Sequence, residues 1–338
     1  MRGFASLRSL RISALIFLAT TVNAEITEIA EIAEKYKIQY PAHYKETPVK
    51  KAKCIAALTL VFFSLQATAL GWGDPGHMTV AQIAFDDLSP AQQARVNDLA
   101  ALIELDDHEY EFVTSACWMD DIRDFPMFEP IKDWHFITQM FIIDSAVQQK
   151  PPPPVNAASI IAFLKTRIGN PKEPDIKKAY YLAELVHLVG DIHQPLHTVT
   201  RFTHDEPEGD RGGNLFLLGE GSLRGNLHSY WDAAGGTFGV GNIRRPLSNN
   251  GRTRLQQFAR DIKNKVPKNS PAIAGKVGNL NPDVWAKEGF DLREDIYSGI
   301  KEQDAPDPNY EKKTQRISRE RIALAGYRLA AILKAVTL

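Results

Sequence analysis

Histidine and aspartate recur four residues apart in two segments of this chain. His187 and Asp191 form the first pair, and His228 and Asp232 form the second. On a helix, side chains four residues apart point the same way, so each pair joins an imidazole to a carboxylate. Imidazole nitrogen and carboxylate oxygen are typical zinc ligands. One such pair is more often a solvated helix pair, but two pairs with His197 between them indicate a metal site.

Further candidate ligands stand beside tryptophans. The neighbours are Trp118 with Asp120 and Asp121, Trp134 with His135, and Trp231 with Asp232. A single tryptophan of this kind is more often part of the core. Three of them predict an apolar wall that excludes water and strengthens electrostatic interactions inside the site. Spacing alone leaves both Asp120 and Asp121 open as ligands.

A basic segment, an apolar run and small residues precede Trp72, as in a secretory signal. These parts are Lys50, Lys51 and Lys53, then residues 54–65, then residues 69–71. Cleavage after Gly71 would make Trp72 the mature N-terminus. Its freed amino group, its carbonyl and the imidazole of His77 could then converge on one metal ion. We therefore expect residues 1–71, which begin with a second signal-like stretch at 1–24, to be removed.

Helices must position most of these residues. Ser89 and Gln92 form a capping box that predicts a helix reaching about Leu105. Asn156 predicts the start of another helix. From Lys177, apolar residues recur at i, i+3, i+4 and i+7, which predicts an amphipathic helix ending near residue 193.

The rest of the chain also favours a mainly α fold. We predict helices over about 252–265 and 311–336, and a loop or small β-hairpin around 204–226 with a possible strand at Asn214–Leu218. No internal repeat or interdomain linker interrupts residues 72–338. The sequence therefore predicts a single compact helical domain there.

Charge and cysteine content limit the possible functions. Residues 1–71 hold nine of the 40 Lys and Arg and five of the 41 Asp and Glu, which leaves 31 basic and 36 acidic residues in 72–338. This balance excludes the usual charge-driven nucleic-acid binder, so phosphate recognition requires focused groups or bound cations. Only Cys117 remains after residue 71, which excludes an intrachain disulfide. We expect a secreted or periplasmic protein without a membrane span.

Several motifs carry a family resemblance. They are Trp-Gly-x-x-Gly-His at 72–77, Trp-x-Asp-x-x-Arg at 118–123, Trp-His-Phe at 134–136, His-Leu-Val-Gly-Asp-x-x-Gln-Pro-Leu-His at 187–197, Gly-Gly-Asn at 212–214, Asn-Leu-His-Ser-x-Trp-Asp at 226–232 and Trp-Ala-x-Glu at 285–288. In content and order they resemble the tri-zinc nuclease family, which contains fungal single-strand-specific nucleases and plant bifunctional nucleases. The resemblance covers residues 72–338 and implies the helical fold of the zinc phospholipase C and nuclease superfamily.

The resemblance implies three Zn²⁺ ions. One would be held by Asp120, His135, His187 and Asp191, a second by the amino and carbonyl groups of Trp72 with His77 and a shared oxygen of Asp191, and a third by His197, His228 and Asp232. It also implies that Asp120 takes or positions a proton of the attacking water. Arg123 would stabilise the transition state, although taken alone it is more often a surface ion pair.

The implied substrates are single-stranded DNA, RNA and 3′-nucleotides, with 5′-phosphate products. Phe136, Thr138 and Asn214 are the implied substrate contacts, and Phe136 offers a face on which an unpaired base can stack. Thr138 stands where many relatives have an acid, which leaves base preference open. His193 and His204 match no ligand position and are expected on the surface or behind the ligands. We expect a monomer without a stable protein partner.

Two other functions remain open at this point. A zinc phospholipase C shares the N-terminal tryptophan and the His-x-x-x-Asp helix, but the short spacing from Trp72 to His77 and the aspartate at Asp232 favour the nuclease. A secreted zinc-binding protein without enzymatic activity would bind metal, yet it gives no role to Arg123 or Phe136.

Overall fold

The computed structural model describes residues 72–105, 108–144, 147–239, 243–336 and 338. The predicted signal segment, residues 1–71, lies outside these described residues. Helices dominate the described part of the chain and the strands there are only two or three residues long, which confirms the mainly α prediction. Among these helices, none combines the length and the apolar character needed to cross a bilayer.

The elements follow one another with mostly short connections. The α-helices are α1 (Asp74–Phe85), α2 (Pro90–Ala100), α3 (Phe112–Ser115), α4 (Trp118–Ile122), α5 (Ala157–Ile168), α6 (Asp175–Asp191), α7 (Leu227–Asp232), α8 (Asn249–Lys265), α9 (Pro282–Phe290), α10 (Arg293–Tyr297) and α11 (Pro308–Ala335). Three 3₁₀ segments span Pro126–His135, Pro195–His197 and Ala234–Gly236. The strands are β1 (Glu104–Leu105), β2 (His108–Glu109), β3 (Met140–Ile142) and β4 (Thr200–Phe202).

The capping signals predicted the helix starts well. The hydroxyl of Ser89 accepts a hydrogen bond from the backbone N–H of Gln92, and the Gln92 side chain accepts one from the backbone of Ser89. Asn156 caps α5 by accepting from the N–H groups of the second and third helical residues. The predicted extension of α2 to Leu105 is wrong, because α2 ends at Ala100. Beyond it, burial alternates from residue to residue, and β1 pairs antiparallel with β2.

Helix α6 lies at the centre of the described fold. It was predicted as amphipathic, yet it is buried all round from Tyr181 to Asp191. It packs against α5, α2, α4 and α1. The longest helix, α11, packs along α1, and the two approach closely because residue 326 is glycine: a Cβ at Gly326 would lie 2.5 Å from Cγ2 of Ile83. The side chains of the second half of α6 are therefore buried against neighbouring helices.

The segment predicted as a loop or hairpin around 204–226 is mainly a loop. It contains one isolated antiparallel bridge, between Leu217 and Asn226. The possible strand at Asn214–Leu218 does not form, because Arg211, Gly212 and Gly213 have positive φ and turn the chain just before it. Strand β4, which precedes this loop, pairs in parallel with β3. The two strands follow closely after His197 and His135 and so help to fix those histidines side by side.

Candidate metal centre

Asp191, the last residue of α6, is surrounded by four imidazoles. Its Oδ1 lies 3.3 Å from Nε2 of His77 and 3.6 Å from Nδ1 of His197. Its Oδ2 lies 2.9 Å from Nδ1 of His135 and 3.1 Å from Nε2 of His187. The carboxylate is wholly buried. Both of its oxygens thus face nitrogen atoms in a volume closed to bulk water.

Histidines and carboxylates form three groups in which the potential ligand atoms all lie within 4.8 Å of one another. The groups are His77 with His187 and Asp191, Asp120 with His135 and His187, and His197 with His228 and Asp232. The first two share His187, so they form one continuous pair of sites. The third is linked to them by the contact between His197 and Asp191.

Backbone carbonyls fix the orientation of three of the imidazoles. A carbonyl oxygen can only accept, so each of these rings carries its proton on Nδ1 and has its lone pair on Nε2 when neutral. The bonds run from His187 to Ala116, from His197 to His135 and from His228 to Gly212, each 2.7 Å long. Such partners are typical of metal-binding histidines, because they lock the tautomer and the ring direction.

Several buried atoms of these groups lack a hydrogen-bond partner. They are both ring nitrogens of His77, Nε2 of His197 and Oδ1 of Asp191. Leaving a buried polar atom without a partner costs about 1–3 kcal/mol, and more for a charged group. All four atoms belong to residues of the three groups, and Nε2 of His197 and the unprotonated nitrogen of His77 carry lone pairs that a cation would satisfy. The donor set therefore fits divalent metal ions.

The charges of the groups are strongly coupled. Burial alone would raise the pKa of Asp191, but the imidazoles of His187 and His197 lower it well below 3.8. Burial would lower the pKa of His187, yet the carboxylates of Asp191 and Asp120 raise it to about 9. Burial, with the nearby charge of Asp191, raises the pKa of Asp232 well above 3.8. Burial therefore disfavours the ionised form of Asp232, and a cation beside it would favour that form.

A glycine makes room for one of the histidines. A Cβ on Gly190 would lie 2.7 Å from Nδ1 of His77, closer than real Cβ contacts. The ring of His77 also stacks on that of His187, with centroids 4.1 Å apart and an interplanar angle of 11°. The small residue before Asp191 therefore allows α1 to bring its imidazole against the end of α6.

The third group is held by a buried amide that the sequence did not single out. Nε2 of Gln194 donates to Oδ1 of Asp232 over 2.7 Å, and its Oε1 accepts from the backbone N–H of Leu196 over 2.6 Å. Gln194 therefore ties Asp232, at the end of α7, to the 3₁₀ turn that carries His197. In the sequence, the only indication of this role is the position of Gln194 inside the motif at 187–197.

The predicted N-terminal residues lie beside the same centre. Trp72 is wholly buried, and the backbone N–H of Gly73 donates to the carbonyl of Asp232 over 3.2 Å. A Cβ on Gly76 would lie 2.6 Å from Cβ of Trp72, so the first turn of α1 folds tightly against this tryptophan. The turn that begins at Trp72 thus lies between His77 of the first group and Asp232 of the third.

The structure separates the two neighbouring aspartates. Oδ1 of Asp120 lies 3.9 Å from Nε2 of His187 and 3.5 Å from Nη1 of Arg123. Asp121 belongs to none of the three groups, because its carboxylate binds Arg245 and the hydroxyl of Tyr110. Of the two candidates, the structure therefore places Asp120, and not Asp121, in a group that could hold metal. Arg123 forms an ion pair with Asp120. Its side chain is only 12% exposed, so this is not the ion pair on the surface that is more common for such an arginine.

The predicted substrate contacts lie next to the ligands. Phe136 follows His135 and is 38% exposed, and Thr138 is half-buried. Asn214 follows Gly213, whose carbonyl accepts from the backbone N–H of His228, and its own side-chain amide donates to the carbonyl of Arg211. The structure thus places Phe136 and Asn214 near two different ligands of the centre.

The two remaining histidines differ from each other. His204 is exposed. His193 is wholly buried, so a surface role is wrong for it: its Nδ1 donates to the carbonyl of Val189 and its Nε2 accepts from Arg328. Arg328 in turn binds both carboxylate oxygens of Glu288. His193 therefore supports the turn after α6 from behind.

Comparisons with known proteins agree with this arrangement. The family model described as S1/P1 Nuclease matches residues 72–337. Nuclease S1 of Aspergillus oryzae is 26% identical over 305 residues, which cover 82% of this chain and 95% of that protein. Endonuclease 2 of Arabidopsis thaliana is 23% identical over 286 residues, 79% of this chain and 90% of the relative. Endonuclease 3 of the same plant is 29% identical over 179 residues, 51% of this chain and 57% of the relative.

Proposed function

The chain belongs to the S1/P1 nuclease family, and from this membership and its three His/Asp groups we propose a zinc-dependent phosphodiesterase that cleaves single-stranded DNA and RNA. We also propose that its products carry 5′-phosphates and that it removes 3′-phosphate from nucleotides. The observation that carries the proposal is the Asp191 carboxylate, whose two oxygens face four imidazoles. Such a carboxylate suits a bridge between two cations.

The proposed ligands follow the three groups. Asp120, His135, His187 and Asp191 would hold one Zn²⁺, Trp72 through its amino and carbonyl groups with His77 and Asp191 a second, and His197, His228 and Asp232 a third. The buried ring nitrogens without hydrogen-bond partners support this assignment. Three such ions would also explain how a slightly acidic protein attracts a phosphodiester.

Zinc bound at such sites supplies an acidified water as nucleophile and neutralises charge on phosphoryl oxygens. The chain's own residues orient the reactants. We assign Asp120 to accept or position the proton of that water, since it is 7% exposed and lies at the edge of the group containing His187. Arg123 contacts Asp120 and can donate to a phosphoryl oxygen as negative charge develops there. Phe136 would stack an unpaired base, with Thr138 and Asn214 as further contacts.

We propose that cleavage after Gly71 completes the centre. The new α-amino group would belong to Trp72, which is already buried beside Asp232 and one helical turn from His77. The family match that begins at residue 72 supports this boundary. A protein processed in this way would act outside the cytoplasm, either secreted or in the periplasm. We also propose that it acts as a monomer.

A parallel assay tests the function. The protein with Trp72 at its N-terminus would be given single-stranded DNA, RNA, a 3′-mononucleotide and phosphatidylcholine, before and after chelation and with zinc restored. We expect hydrolysis of the nucleic acids, loss on chelation and recovery with zinc. Lipid turnover without nucleic-acid turnover would instead indicate a phospholipase C. Zinc binding without any hydrolysis would indicate a storage protein.

A further inference from the structure

Arg245 lies outside the three groups, yet its guanidinium joins two elements that contribute to them. Its Nε donates to Oδ2 of Asp74 over 2.9 Å. Its Nη1 and Nη2 donate to the two carboxylate oxygens of Asp121 over 2.5 and 2.7 Å. The Arg245 side chain is only 14% exposed. Three charge-assisted bonds in this setting hold two carboxylates in fixed directions.

The two carboxylates belong to two different elements that contribute residues to the centre. Asp74 is the first residue of α1, two residues after Trp72 and three before His77. Asp121 lies on α4, directly after Asp120. Arg245 therefore spans the turn that brings Trp72 and His77 and the helix that brings Asp120. It comes from a loop more than 120 residues further along the chain, so no local spacing relates it to either element.

Arg245 also determines which of the two neighbouring aspartates is free to bind metal. The carboxylate of Asp121 receives two bonds from Arg245 and one from the hydroxyl of Tyr110, 2.7 Å long. With these donors in place it is directed away from the three groups. Without Arg245, the half-buried carboxylate of Asp121, beside Asp120, would lose its counter-charge, and a nearby cation is the partner that could replace it.

We propose that Arg245 is a positioning residue for the metal centre. It holds the first turn of α1 against α4, and it keeps Asp121 from competing with Asp120 for metal. This inference rests on the proposed function, because it presupposes metal ions in the groups that contain His77 and Asp120.

Metal affinity tests the inference apart from catalysis. In the protein beginning at Trp72, we would compare Arg245→Met, Arg245→Lys, Asp74→Ala and the double variant Arg245→Met with Asp121→Asn. The measurements are zinc affinity by competition with a chelator, and the visible spectrum after Co²⁺ replacement. Circular dichroism reports whether each variant is folded.

We expect Arg245→Met to weaken zinc binding about 10- to 100-fold, the range found for residues that support metal ligands, and to change the Co²⁺ spectrum. Adding Asp121→Asn should restore the part of the affinity that was lost to competition, because the competing carboxylate is then neutral, while the bridge between α1 and α4 stays missing. Arg245→Lys, which cannot bridge both carboxylates with the same fork, should fall in between. The matched control is Lys263→Met, which removes an ion pair to Asp86 at the far end of α1; it should leave zinc affinity unchanged.

Two results would overturn the inference. One is a folded Arg245→Met protein with wild-type zinc affinity and Co²⁺ spectrum. The other is a double variant Arg245→Met with Asp121→Asn that binds zinc no more tightly than Arg245→Met, since Asp121 would then not compete for metal. If Arg245→Met does not fold, Asp74→Ala decides, because it removes the acceptor at the N-terminal turn and leaves Arg245 bound to Asp121. Weaker zinc binding supports the inference and unchanged binding refutes it. A wild-type protein that binds no zinc would contradict the proposed function instead.

Discussion

The substitution Gly190→Ala tests directly whether His77 must keep its position to bind metal. The added methyl group would lie 2.7 Å from Nδ1 of His77, whereas ordinary contacts begin at 3.4 Å. The imidazole would have to move by about 0.7 Å, and it is buried and stacked on His187. Metal–ligand distances tolerate only about ±0.2 Å. The substitution should therefore displace His77 as a ligand without removing any ligand atom.

The effect on folding should be smaller than the effect on metal binding. Overpacking a buried site costs about 1–3 kcal/mol, and alanine recovers roughly 1 kcal/mol of helix propensity over glycine. We expect Gly190→Ala to lose at most about 2 kcal/mol of stability without metal. Zinc affinity at the group containing His77 should fall at least about tenfold, as for other disturbed metal sites.

Zinc per chain after dialysis against buffered zinc, and the rise in Tm on adding zinc, measure the two effects separately. Gly278→Ala is the matched control, because nothing lies within 4 Å of its Cβ position; it should keep full zinc content. If Gly190→Ala binds as much zinc as the wild type and shows the same zinc-dependent rise in Tm, the steric reasoning about His77 is wrong.

Three further predictions concern other parts of the molecule. A protein with one extra residue before Trp72 should bind one zinc fewer and lose most activity relative to the protein that begins at Trp72; equal zinc content and rates in both would refute the α-amino ligand. Gln194→Met removes the amide that donates to Asp232, so zinc at the third group should bind about 10- to 100-fold more weakly, measured by chelator competition, while an unchanged affinity would show that the amide is dispensable. In the metal-free protein, Glu288→Gln should cost about 3–5 kcal/mol at pH 7 by urea unfolding, because it leaves the buried charge of Arg328 unpaired. Burial would raise the pKa of Glu288, but hydrogen bonds from Arg328 lower it below 4.5; the difference between wild type and variant should therefore be full above about pH 4.5 and shrink as the pH falls below it. A difference that grows in acid would contradict this sign.

Local signals in the sequence predicted several of the helices and the two pairings of a histidine with an aspartate. Capping residues and apolar periodicity act within a few residues, so the starts of α2 and α5 and the course of α6 followed from them. The end of α2 did not, because pairing of β1 with β2 replaced the helix after Ala100. The pairs His187 with Asp191 and His228 with Asp232 lie one helical turn apart, which is why spacing alone brought them together.

The contacts between distant segments were decided by the tertiary structure alone. Spacing left Asp120 and Asp121 equivalent, whereas in the structure Asp121 is bound by Tyr110 and by Arg245, which lies more than 120 residues away. His193 could be placed on the surface until the fold buried it against Arg328. The candidate metal ligands can thus be identified from sequence motifs, because helix geometry is local. Their free lone pairs and their charges depend on packing between distant elements, which no local pattern contains.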